Sequence, residues 1–194
     1  MPFTAYHLGP AILFGLALSA VFDLPTLLLA SVIPDIEPAC VLAFDVQGYP
    51  LHGFFHSYLG ASILALFAVG AVVLFGKWIS KAARFFQLDQ QSALSKIVLT
   101  SFFGVYLHVF LDSFLYVDIA PFYPLQANPF ISMLSVYDSS KIIYAFCSVT
   151  GILGIAFYWY KLRKGNTPKS EAAPSKQSQA KEFRTEKGDK QAAE

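Results

Sequence analysis

PAILFGLALSAVFDLPTLLLASVI, residues 10–33, is apolar and long enough to cross a bilayer, yet it carries Asp23, Leu24 and Pro25 near its middle. A helical crossing takes about 20 residues. Proline removes a helical hydrogen bond and pushes the residue before it away from helical angles. Lipid offers no partner to backbone groups freed in this way, so a break survives only where other helices cover it. Two folds follow. A straight helix leaves His7 at the end opposite Asp35 and His56. A break at Asp23-Leu24-Pro25 makes a re-entrant hairpin of two half-length arms and returns His7 to their end. Proline and acid together favour the hairpin, with Asp23 as the cap of its second arm.

Three further apolar segments complete the expectation of an all-α integral membrane bundle of about four segments. They are 57–76, 97–117 and 141–160. The 194-residue chain is 55% hydrophobic and 14% charged, with a mean hydropathy of +0.51; soluble domains are usually about 25% charged. Net charge is +1 and no basic face interleaves with aromatics, so no nucleic-acid partner is expected. Cys40 and Cys147 form no CxxC pair and read as small apolar packing residues. Residues 1–164 form the expected transmembrane domain. Residues 165–194 lack the apolar content to offset ordering entropy and read as a disordered polar tail.

Basic residues set the orientation. None precedes Lys77; Lys77, Lys81, Arg84 and Lys96 cluster between the second and third segments, and Lys161, Arg163 and Lys164 follow the fourth. By the positive-inside tendency those stretches and the tail face the cytoplasm, and 34–56 and 118–140 face outward.

All four histidines lie at or inside apolar segments, where ionisable groups are costly and face a bundle interior or a watery cavity. His52 and His56, like His108 and Asp112, are spaced i,i+4, which on a helix stacks both side chains on one face. Pro50 suits the opening turn of a helix bearing the first pair. Ser101, Gly104, His108 and Asp112 form a stripe that turns the third segment toward protein. SVIPDIEP (31–38) reads as an interfacial turn whose Asp35 and Glu37 have no nearby Lys or Arg. A divalent cation would keep such carboxylates ionised. His7, Asp35, His56, His108 and Asp112 are therefore candidate metal ligands, and imidazole with carboxylate suits zinc, or manganese or iron.

These residues resemble the YdjM-like family of membrane-bound metal-dependent hydrolases. The shared pattern is His7, Pro34-Asp35-Ile36-Glu37, His52-Gly53-Phe54-Phe55-His56-Ser57, and His108 to Asp112, over roughly residues 1–130. Glu37 stands where the family has Asp, and Gly53 where it has Arg, a residue suited to an anionic substrate group. The resemblance implies a metal-activated water acting as nucleophile. Glu37 or His52 is then the candidate general base, with His52 alternatively a further ligand. A site at the outer face of the cell membrane suggests a lipid or lipid-linked ester or phosphoester as substrate, with membrane lipids as partners. The alternatives are a non-enzymatic metal-binding membrane protein, such as a transporter or sensor, and a bundle whose histidines hydrogen-bond without metal. The sparse polar content of the second and fourth segments weighs against a transporter.

Overall fold

The computed structural model describes residues 6–88, 90, 92–133 and 136–165. Among the described residues every regular element is helical: α1 (Leu8–Ala17), α2 (Leu24–Ala30), α3 (Ile36–Ala43), α4 (Tyr58–Phe85), α5 (Leu94–Ser113) and α6 (Val136–Gly165). Four stretches are long and apolar enough to cross a membrane: Leu24–Ala43, Tyr58–Phe85, Leu94–Ser113 and Asp138–Lys164; Leu8–Ala17 is a shorter apolar helix. The tail assigned to 165–194 lies, from residue 166 onward, outside the described residues.

The first apolar segment is a hairpin. α1 ends at Ala17 and α2 restarts behind Asp23, whose backbone is extended and whose Oδ2 accepts from the Thr26 amide. Pro25 sits in the first turn of α2, where its missing N–H costs nothing. Other elements clamp the reversal. Ser92 Oγ donates to Asp23 Oδ1 at 2.6 Å, the Asp23 amide donates to Thr100 Oγ1 at 3.1 Å, and Lys96 Nζ donates to the Ser19 carbonyl at 2.7 Å. The freed backbone is thereby satisfied by protein, as a membrane setting requires.

Three local expectations are corrected. SVIPDIEP is not a simple turn: Ile33–Asp35 forms a 3-10 turn that runs directly into α3. Pro34 and Pro38 both fall in first turns, so they start helical turns rather than stop them. His52 and His56 do not share a helix. Residues 51–53 are bend and irregular chain, Phe54–His56 is a 3-10 turn, and α4 begins only after Ser57, whose Oγ caps the Gly60 amide. The Glu37 carboxylate accepts from the Gly53 and Phe55 amides and holds this loop out of the helix. Finally, α4 runs past 76 to Phe85, so Lys77, Lys81 and Arg84 lie on its last turns. Residues 77–85 contain good helix formers and no Gly or Pro.

α4 and α5 lie antiparallel against α2 around Ala30, Ala61, Ala65, Val105 and Val109, all buried. Between lipid-embedded helices apolar contact alone drives little association, and small residues that permit close packing carry it. Gly104 is one such close approach between α5 and α2: a Cβ there would stand 2.6 Å from that of Ala30. Larger side chains such as Phe67 and Leu74 point outward. The antiparallel pair puts the start of α4 and the end of α5 together, at the end opposite Lys77, Lys81, Arg84 and Lys96.

Candidate metal centre

His108 and Asp112 stand one turn apart near the end of α5, each about 1% exposed. His108 Nδ1 lies 2.8 Å from the Ser31 carbonyl oxygen. A carbonyl only accepts, so Nδ1 carries a proton and Nε2 is the nitrogen turned inward, toward Asp112 and Asp35. His56 is fixed in the same way, its Nδ1 2.8 Å from Glu37 Oε2. Burial pushes the His56 imidazole below its ordinary pKa, against the pull of the Glu37 hydrogen bond, which favours the neutral, ligating form.

Glu37 is fully engaged. Besides His56 it accepts from Tyr49 Oη at 2.7 Å and from the Gly53 and Phe55 amides at 3.0 and 3.1 Å. Burial and the adjacent Glu37 push the Tyr49 phenol up, so it donates as a neutral hydroxyl. A carboxylate that grips the far nitrogen of an inward-facing imidazole is the usual support of a histidine metal ligand.

The two Nε2 atoms face two carboxylates. His108 Nε2 is 3.3 Å from Asp112 Oδ2 and 3.6 Å from Asp35 Oδ1, and His56 Nε2 is 3.9 Å from Asp112 Oδ2. One donor atom each from Asp35, His56, His108 and Asp112 lies within 4.8 Å of all the others. His56 Nε2, His108 Nε2 and Asp35 Oδ2 are buried without a hydrogen-bond partner. Unsatisfied acceptors at this depth are expensive, and facing one another they repel. Neither residues 1–76 nor 97–140 contain a Lys or Arg to neutralise them. The donor set therefore fits a divalent cation, which would satisfy both nitrogens and both carboxylates together.

The hairpin delivers His7 to the same place. Its ring stacks on His108 with centroids 4.0 Å apart, and Nε2 approaches Asp112 Oδ1 at 3.2 Å. It adjoins the group of four without belonging to it, and its Nδ1 has no partner. His52 lies one residue layer further out. Its ring meets His56 edge-on at 4.9 Å and stacks on Tyr116 at 3.9 Å. Its Nδ1 is 3.1 Å from Asp118 Oδ1, and its amide donates to Asp118 Oδ2 at 3.0 Å. His52 and Asp118 open onto a cavity of about 370 Å³ that Tyr49, Tyr123 and Gln126 also line.

The sequence reading overlooked Asp118, Tyr49 and the Ser31 carbonyl. Asp118 pairs with His52 across 66 residues, and no spacing rule links them. The nearest signal was an acid in a connection devoid of basic residues. Gly53 has a structural role as well: a Cβ there would collide with the Tyr49 ring.

Residues 1–168 match the family described as YdjM inner membrane protein. No curated protein and no solved structure matches the chain. With a match over most of its length, and with a helical, membrane-spanning architecture around a buried His/Asp cluster, the chain belongs to the YdjM inner membrane protein family.

Proposed function

We propose that this protein is a membrane-embedded, metal-dependent hydrolase of a lipid or lipid-linked ester or phosphoester, with its site at the outer face and its C-terminal tail in the cytoplasm. The observation that carries the reading is the convergence of one donor atom each from Asp35, His56, His108 and Asp112 within 4.8 Å of one another, the two imidazole Nε2 atoms buried without a hydrogen-bond partner, with no Lys or Arg in residues 1–76 or 97–140. These four residues would hold the ion, zinc before manganese or iron given two imidazoles and two carboxylates. The chemistry such an ion supplies when bound is polarisation of a water molecule and of a substrate oxygen.

The remaining roles belong to the chain. Glu37, saturated by four donors, orients His56 and is not the proton acceptor in this scheme. Asp118 holds the proton of His52 on Nδ1, which leaves Nε2 as a base at the edge of the open cavity. His52 Nε2 takes a proton from water as its oxygen attacks the carbonyl carbon or phosphorus. It returns that proton to the leaving alkoxide as the ester bond breaks. His7 stacks on His108 and limits how far Asp112 can swing.

The test has two parts. Elemental analysis of purified protein is expected to give close to one metal equivalent, falling below about a tenth in His108→Ala or His56→Ala. A lipid-hydrolysis screen of wild type against His108→Ala is expected to show turnover only in wild type. A metal-free protein would overturn the whole reading, and metal without turnover would leave a metal-binding sensor.

A further inference from the structure

Two cavities meet at Tyr49. One is polar, about 370 Å³, and lined by His52, Asp118, Gln126 and the aromatic rings of Tyr49, Phe54 and Tyr123. The other is apolar, about 340 Å³, and lined by Ile33, Ile36, Cys40, Val41, Phe44 and Val46, with Tyr49 and Glu37 at its inner end. Both volumes fall in the range of small-molecule sites, roughly 300–1,000 Å³. The apolar groove is a built feature and not merely the flank of a lipid-facing helix. After α3 the chain passes through Asp45 and Gly48 with positive φ, and the Val46 amide donates back to the Val41 carbonyl. That curl brings Phe44, Val46 and Tyr49 into one lining with Ile33 and Ile36.

Charge selects what the polar cavity takes. Four carboxyl groups, Asp35, Glu37, Asp112 and Asp118, surround the site and its polar cavity, more than the two charges a divalent ion would supply, and no Lys or Arg lines that cavity. An anionic head would be repelled everywhere except at the ion itself. An ammonium head, in contrast, finds the Asp118 carboxylate together with three aromatic rings, the combination that recognises organic cations.

Resting on the hydrolase reading above, we propose that the substrate is an amphiphile with an ammonium-bearing head. The head occupies the polar cavity beside His52, and an acyl chain lies in the Ile36–Val46 groove. Tyr49 lines both cavities, and His52, which lines the polar one, has its ring 4.9 Å from that of His56, so the head sits next to the proposed base and one ring from the ligand cluster.

Cys40 lines the groove and is exposed, whereas Cys147 is buried, so Cys40 alkylation reports occupancy without requiring turnover. The full chain, metal-loaded and held in an amphipathic polymer free of detergent, is treated with a soluble maleimide. Palmitoyl lysophosphatidylcholine or palmitoyl lysophosphatidylglycerol is added at equal concentration. The choline lipid is expected to protect Cys40 roughly three- to fivefold more than the glycerol lipid. Val41→Trp, which fills the groove, should abolish protection by both lipids. Asp118→Asn and Tyr123→Ala should each erase the preference between heads. Equal protection by the two lipids, or none, overturns the proposal. Protection without hydrolysis leaves the assignment of head and chain to the two cavities standing and removes the hydrolase reading; hydrolysis without head-dependent protection does the reverse.

Discussion

Glu37 shows what one carboxylate does in a dry site. Its two oxygens take four donors, and one of these fixes which nitrogen of His56 faces the cluster. Removing charge while keeping shape should release that grip. Glu37→Gln is expected to weaken metal binding about 10- to 100-fold in a chelator competition, the usual cost of losing a ligand's support. His56→Ala should cost more, because it deletes the donor itself. The reading of His52 changes most at this scale. Paired i,i+4 histidines implied a shared helical face, but the pair sits in a loop pinned by Glu37 and Asp118. A motif of that spacing can be met by a loop whenever a distant carboxylate gathers its amides. Neither Glu37 nor Asp118 is near in sequence, so local periodicity had no means of reporting the loop.

At the level of elements, the α1–α2 hairpin explains how a residue near the chain start reaches α5. Its break was legible because Asp23 and Pro25 carry specific backbone chemistry, and Asp23 caps α2 as expected. What the sequence did not disclose was how the reversal is held. Thr100, Ser92 and Lys96 clamp it from the other side of the bundle, and such contacts across helices leave no periodic trace. Asp23→Ala is expected to cost about 1 kcal/mol, as loss of a helix cap does, measured as a lower unfolding midpoint. Gly104→Leu should cost more, about 1–3 kcal/mol, since α2 must move off α5. The apolar segments themselves were plain from composition. The length of α4 was not, because Lys77, Lys81 and Arg84 read as a loop although nothing there breaks a helix.

Over the whole molecule, charge is sorted by end. Lys77, Lys81, Arg84 and Lys96 gather at one end, and the acids and histidines of the site gather at the other. If the positive-inside tendency governs, the site faces outward. A membrane-impermeant maleimide should then label Cys40 in intact cells, with Cys40→Ser as the blank; labelling only after the membrane is opened would invert the topology. Cys147, buried at 2% exposure, should contribute little.

The four clustered donors come from three stretches well separated along the chain: Asp35, His56, and the His108/Asp112 turn. During synthesis the first two emerge long before the third. A nascent chain that ends before residue 108 holds only half the set, and no ion can be gripped by all four until α5 has entered the bilayer and closed against α2 and α4. An ion bound as proposed could therefore be gripped by all four only once α5 is in place, and chains made in metal-starved cells should be inserted but lack it.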